Sequence, residues 1–335
     1  MLVTLFPTRV RHREPLGDRA HRFRSLLPDS LAMTFQGHDV VELTLADSQL
    51  RAAPQIGGRL LTWRVGGHDV IEWPDPADWA HPAKVRGGNP LLFPFLGRHR
   101  VDGEVGRWRD ANGKVYALPA HGFARDSVFT AQVNASGPTP SVAMTLGDSD
   151  ATRAVYPFAF QFTAIYTLVA PDTLEVSLVS ENRGDTPMPY YAGHHFYFAL
   201  PHALRAETTI ELPPTMRRFQ QADGVLSTPE PGERQYTLDE ARIQDRFHVI
   251  DAVPAADRRV TIRTPALGRT LEFDLRTSPA PWYAVTTWTE NETSDFFCIE
   301  PWLGLPDAIH NGTGLRWIAP GATETATLRL TARFA

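Results

Sequence analysis

The chain has 335 residues, 42% hydrophobic and 21% charged, with a formal net charge of −5. That is the composition of an ordinary soluble globular protein with room for a large core in one or two domains. There is no basic excess to suggest a nucleic-acid partner, and no apolar run is long enough to cross a bilayer. The single cysteine, Cys298, rules out an internal disulfide framework and is compatible with a reducing compartment. The cytoplasm is therefore the expected location.

The opening residues MLVTLF give way to an arginine-rich stretch (Arg9, Arg11, Arg13, Arg19, Arg22, Arg24) with no apolar segment of the kind a secretory signal needs. Residues 1–32 read as an N-terminal extension, either a flexible tail or residues upstream of a true start at Met33. A functional basic arm carries less weight than either. From Met33 the signal is strand after strand. In FAFQFTAIYTL, Phe158, Phe160, Phe162, Ala164, Tyr166 and Leu168 share one side. TLEVSLVSEN, ETTIELP, RRVTIRT, TLEFDLR and YAVTTWT add short strands between Gly, Pro, Asn and Asp clusters. In TETATLRLTARF, Ala326, Leu328, Leu330 and Ala332 face one way and Thr325, Thr327, Arg329, Thr331 and Arg333 the other, a half-buried strand. The 28 prolines argue against long helices; one short helix is expected near DPADWA. No linker or repeat appears. The expectation is an all-β chain, a large antiparallel sandwich or barrel, with one domain over residues 33–335.

Four stretches look unlike scaffold: RGGNPLLFPFLGRHR (residues 86–100), LPAHGFARD (118–126), YYAGHHFYFAL (190–200) and CIEPWLGLPDAIHNGTG (298–314). Taken singly, each is ordinary. A histidine beside glycine is more often a turn or core residue than a catalyst, a glutamate closing a strand is usually solvated, and a tryptophan beside proline can simply pack. The combination is less ordinary: His121, His194 or His195, and Glu300 each sit among apolar or aromatic neighbours. Imidazole and carboxylate are what general acid–base chemistry needs near neutral pH, and aromatic rings suit the apolar faces of a sugar. Successive strand residues point to opposite faces, so only one of His194 and His195 can enter a given pocket.

Other chemistries fit poorly. GxSxG, P-loop and GxGxxG patterns are absent, and Cys298 has a strand-core neighbourhood that makes a poor nucleophile. His194 and His195 cannot both ligate from one strand face and no HxH spacing replaces them, so no metal and no cofactor are expected.

The set HGFAR, HxYF and EPW, in that order and with GGNPLLFP upstream, resembles the aldose 1-epimerases (galactose mutarotases), near the divergent branch that includes hexose-6-phosphate mutarotases. The resemblance runs from about Val40 onward. It implies a β-supersandwich and cofactor-free interconversion of sugar anomers. On the motif positions, His195 would be the catalytic acid, His121 the histidine near the ring oxygen, and Glu300 the base. His194 would point the other way. Asp245 is implied as a hydroxyl ligand and an arginine after GGNP as a site residue, Arg98 first and Arg100 behind it. Trp302 and Asn89 complete the expected sugar-binding set. In one departure from that branch, Phe196 follows His195 where proline often follows the histidine.

The chemistry then expected is proton removal from the anomeric hydroxyl by Glu300 and protonation of the ring oxygen by His195, followed by bond rotation and reclosure. Each such group contributes about 10²–10⁴-fold. His195 would need to be protonated near pH 7, with Glu300 or Asp245 raising its pKa. A small-molecule sugar is the expected partner, with no nucleic acid and no membrane. Two alternatives stay open. Arg86, Arg98 and Arg125 could serve a sugar phosphate, with Arg86 and Arg125 as its ligands, or the fold could be a non-catalytic carbohydrate binder. The acid and base, if matched, argue against the latter.

Overall fold

The computed structural model describes residues 32–276 and 278–335. The expectation for the extension over residues 1–32 therefore falls, but for Ala32, outside the described residues. Two large sheets carry the fold. The thirteen-stranded one begins as a meander through Ala32–Phe35, His38–Leu45, Ser48–Ala53, Arg59–Val65 and His68–Ile71. It then continues laterally through Phe196–Ala199, Phe296–Trp302, Ala284–Trp288 and Arg246–Val249. The nine-stranded one is centred on Phe160–Ala170, Thr173–Asn182, Thr323–Phe334 and Arg269–Asp274. These neighbours pair antiparallel, and the whole is a sandwich rather than a barrel.

The alternation read from the sequence is the alternation that packs. Phe160, Phe162, Ala164, Tyr166 and Leu168 are buried, as are Ala326, Leu328, Leu330 and Ala332, while Arg329 and Arg333 are exposed. The inner faces meet through aromatic rings. Phe93 stacks on Phe162 at 4.3 Å, and Phe196 and Phe198 reach Phe273 of the opposite sheet at 6.1 and 5.4 Å. Each such side chain stabilises the fold by roughly 1.5–3 kcal/mol. This packing has a consequence for function. With Phe196 and Phe198 turned inward, His195 and Tyr197 must project from the other face of the larger sheet.

The helix expected near DPADWA does not form. That stretch is a set of turns followed by a 3₁₀ turn at Pro82–Lys84, and Trp79 is instead tethered with Trp73 to one acceptor, each indole N–H donating to Gln36 Oε1 at 3.1 Å. The two short α-helices among the described residues are Asp150–Arg153 and Ala308–Asn311. The first starts from a capping box in which Thr152 takes the place usually held by Glu or Gln, so its sequence signal is faint.

Candidate active site

His194 and His195 divide between the two faces of the sheet. His194 is fully buried against Phe196 (4.9 Å) and Trp282 (5.5 Å) in the core. His195 turns outward, stacked on Tyr197 at 4.8 Å and met edge-on by Trp288 at 5.5 Å. The adjoining strand Phe296–Trp302 pairs Tyr197 with Cys298 and Phe196 with Ile299, so Cys298 and Glu300 share the outward face while Phe297 and Ile299 go inward. Glu300 Oε1 lies 3.6 Å from His195 Nε2. Above them opens a cleft of about 620 Å³, lined among others by His121, Tyr197, Asp245, Phe247, Thr286 and Trp302. Trp302 and Phe247 lie 5.4 Å apart, an aromatic floor on which a sugar face can stack.

His121 arrives from a loop. Its backbone is left-handed (φ +67°), and the following Gly122 approaches the Phe93 carbonyl so closely that a Cβ there would lie 2.0 Å from the oxygen. Only glycine fits, which explains the HG pair. The Gly97 N–H donates to His121 Nδ1 at 3.2 Å. An accepting Nδ1 places the proton of the neutral ring on Nε2, so His121 is a hydrogen-bond donor.

The electrostatics depart from expectation. Burial, reinforced by Arg125 and Arg86, pushes the His195 pKa down to about 3, so the anticipated elevation by Glu300 or Asp245 is overturned. Burial, with the charge of Asp245, pushes the Glu300 carboxyl well above the usual range. Burial, then Arg125, holds His121 well below its ordinary value. The pair is thus a neutral imidazole beside a carboxylic acid, holding one proton between two groups 3.6 Å apart.

The other expected residues separate into cleft and support. Arg98 and Asp245 line the cleft at its mouth, with Asp245 at φ +52°. Arg100 also lines it, but its guanidinium donates to the Ala222 carbonyl at 3.1 Å. Asn89 does not face the cleft. Fully buried, it donates to Tyr166 Oη (3.1 Å) and His194 Nδ1 (3.0 Å) and accepts the His195 N–H (2.9 Å). The reason is its position beside Leu60, whose carbonyl takes its N–H at 2.8 Å and draws it under the sheet. Arg86 and Arg125 both line the cleft, yet Arg86 Nε donates to Glu290 at 2.8 Å, whereas Arg125 donates to the Ala120 carbonyl at 2.8 Å. Asp126 accepts the Ala83 N–H.

Sequence reasoning did not single out Tyr197, Thr286, Trp288, Phe247 or the fully buried Arg59. Tyr197 was within reach of the period-two rule applied from His195. The others depend on cross-strand register, which no local pattern reveals. Reasoning from histidine spacing also did not anticipate that His195, Cys298 and Glu300 bring donor atoms within 4.8 Å of one another. Burial and the neighbouring Glu300 push the Cys298 thiol well above its ordinary range, which keeps it a thiol, the form that ligates metal weakly.

Comparison with known proteins agrees with this architecture. Residues 40–331 match the family model described as Aldose 1-epimerase. The chain is 25% identical over 269 residues to the chromosomal protein LacX of Lactococcus lactis subsp. lactis, covering 77% of this chain and 85% of that one. Among solved structures it is similar to the Slr1438 protein of Synechocystis sp. PCC 6803, with a TM-score of 0.76, 24% identity and coverage of 88% and 96%. It is also similar to a galactose 1-epimerase of Lactobacillus acidophilus NCFM, with a TM-score of 0.66, 17% identity and coverage of 90% and 96%. At these identities the solved structures speak for the fold. No helix among the described residues is long and apolar enough to cross a membrane.

Proposed function

The chain belongs to the aldose 1-epimerase family, and from that premise we propose that it interconverts the α and β anomers of a hexose by acid–base opening and closure of the pyranose ring. The observation that carries this reading is the His195–Glu300 pair: 3.6 Å apart, with pKa values displaced in opposite directions, at the base of an aromatic-floored cleft.

The two protonation forms of that pair are the two halves of the reaction. In the ion-pair form, Glu300 takes the proton of the anomeric hydroxyl while His195 gives one to the ring oxygen, and the bond from the anomeric carbon to the ring oxygen breaks. The pair is then neutral imidazole and carboxylic acid, the form that burial favours. Rotation about the bond next to the aldehyde presents its other face, and closure returns each proton to its origin. The number of protons held by the pair is the same before and after, so no cofactor enters. His121, donating from Nε2, is suited to hold the ring oxygen or a neighbouring hydroxyl, and Asp245 and Arg98 to hold hydroxyls at the mouth.

A 6-phosphate substrate is less well supported. The two arginines that would clamp the dianion are not both available, because Arg86 is tied to Glu290. A pure binder would have no use for a buried acid–base pair. A cytoplasmic setting belongs to the same reading, since a lone buried cysteine needs no oxidising compartment. Magnetisation transfer between anomer resonances, across a panel of aldoses with and without the protein, tests the proposal: enhanced exchange supports it, and exchange at the spontaneous rate for every sugar contradicts it.

A further inference from the structure

One wall of the cleft carries a guanidinium that no carboxylate pairs among the described residues. Arg125, on the 3₁₀ turn Ala124–Asp126 that follows His121, lines the cleft with its Nε buried and without a partner. Near it, though not among the residues that line the cleft, Arg59 is fully buried and its side chain makes one hydrogen bond, to the Pro82 carbonyl at 3.0 Å, leaving Nε and Nη1 unpartnered. Arg86, the third guanidinium, is bound to Glu290 and lies over the Trp288 ring at 5.7 Å. Asp126 acts on Arg59 and Arg125, and Glu290 on Arg86. Of the two guanidiniums among these that line the cleft, Arg86 has a carboxylate partner, whereas Arg125 has none within ion-pair distance among the described residues. An uncompensated guanidinium with buried unpartnered donors is costly, and beside a cleft the remedy is a ligand anion.

We propose that this wall receives a carboxylate carried on C6 of the pyranose, and that Arg125 is the specificity-determining residue for hexuronates over neutral hexoses. The inference rests on the ring-opening reading above, because that reading orients the sugar. In that reading His195 meets the ring oxygen, Glu300 the anomeric hydroxyl on C1, and His121 the ring oxygen or a hydroxyl beside it. The ring oxygen joins C1 and C5; with the C1 hydroxyl at Glu300, the C6 substituent on C5 is the one left to meet the turn that bears His121 and Arg125. The planar guanidinium fork matches a planar carboxylate, in a charge-assisted pair that suits arginine better than lysine. Charge count favours the carboxylate over a phosphate. One uncompensated positive charge meets one negative charge, whereas a phosphate dianion would also need Arg86. The same carboxylate would offset the Arg125 and Arg86 charges that add to burial in holding His195 deprotonated, easing the transfer of the pair's proton to the imidazole.

The test is anomer exchange of glucuronate, glucose and glucose 6-phosphate by the wild type, Arg125→Gln, Arg125→Lys and Glu290→Gln proteins. The wild type is expected to prefer glucuronate to glucose in kcat/KM by about tenfold or more, the scale of one charge-assisted hydrogen bond. Arg125→Gln should collapse that ratio and Arg125→Lys should keep part of it. Glu290→Gln, which frees Arg86 and leaves Arg125 in place, should raise exchange of glucose 6-phosphate relative to glucuronate, and this arm stands even if the Arg125 variants do not fold. Equal exchange of glucuronate and glucose, a wild-type preference for the 6-phosphate, or a preference untouched by both Arg125 and Glu290 variants would overturn the proposal. If no sugar is exchanged at all, it is the ring-opening reading that fails, and titration calorimetry with glucuronate and glucose decides the binding claim. Tighter binding of glucuronate that depends on Arg125 upholds it; equal or absent binding overturns it.

Discussion

Asn89 fixes His195 without sharing its cleft. The Asn89 side-chain oxygen accepts the His195 backbone N–H at 2.9 Å while its amide nitrogen donates to the ring of His194 at 3.0 Å. One buried side chain thereby grips both histidines and holds the alternation that sends one ring to the core and the other to Glu300.

Replacing that grip should cost turnover more than binding. Asn89→Ala leaves a buried N–H and a buried imidazole without partners, each worth about 1–3 kcal/mol, so the melting temperature should fall. For anomer exchange, kcat should drop on the order of tenfold with KM little changed, because misplacing an acid affects the transition state more than the ground state. A rise in KM at constant kcat would make Asn89 a sugar ligand after all.

The histidine pair offers an internal control. His195→Asn should lower exchange on the order of 10²-fold or more with the fold kept. His194→Asn should act first on stability, since His194 is packed between Phe196 and Trp282. Stability and exchange measured on both variants check this; the reverse pattern would mean that the cleft lies on the other face.

Acid should unfold the protein early. Burial pushes His194, His99 and His248 down to about 3, below an unfolded value of about 6.5. A group with a depressed folded pKa leaves stability intact above its unfolded pKa and removes it as the pH falls toward the folded one. At pH 5 each such histidine costs about 2 kcal/mol relative to neutral pH. Urea midpoints should therefore fall between pH 7 and pH 5, and less steeply in His194→Asn. Parallel slopes for the two proteins would contradict the assignment.

What could be read beforehand follows from the physics of each feature. Strand alternation is local, so the rows Phe160 to Leu168 and Ala326 to Ala332 were legible letter by letter. His121, His195 and Glu300 stood out because polar groups in apolar runs are rare and because the motifs carry a resemblance. The protonation of His195 was misjudged, because a pKa depends on desolvation and on Arg125 and Arg86 brought from other segments. Asn89 was misassigned to the sugar for the same reason: its partners Tyr166, His194 and His195 lie far along the chain. Arg59 gave no signal at all, as nothing local distinguishes a buried arginine from a surface one.

Chelation should leave catalysis untouched. His195, Cys298 and Glu300 do approach one another, but the acid–base cycle uses only the imidazole and the carboxyl, and the thiol is held protonated by burial. Prolonged EDTA treatment followed by an exchange assay checks this, and loss of activity restored by one divalent metal would require a different mechanism.

The central claim is that Glu300 and His195 share one proton and move it on and off the sugar. Glu300→Gln keeps the size and buried position of the side chain but can neither take nor give that proton. The most direct measurement is anomer exchange by magnetisation transfer in wild type and Glu300→Gln at matched folded concentration, on the sugar the wild type exchanges fastest. The account predicts a fall on the order of 10²-fold or more with the melting temperature little changed, since a neutral amide replaces a carboxyl that burial already holds protonated. Exchange at the wild-type rate in a folded Glu300→Gln protein would remove Glu300 from the reaction and the proposed mechanism with it.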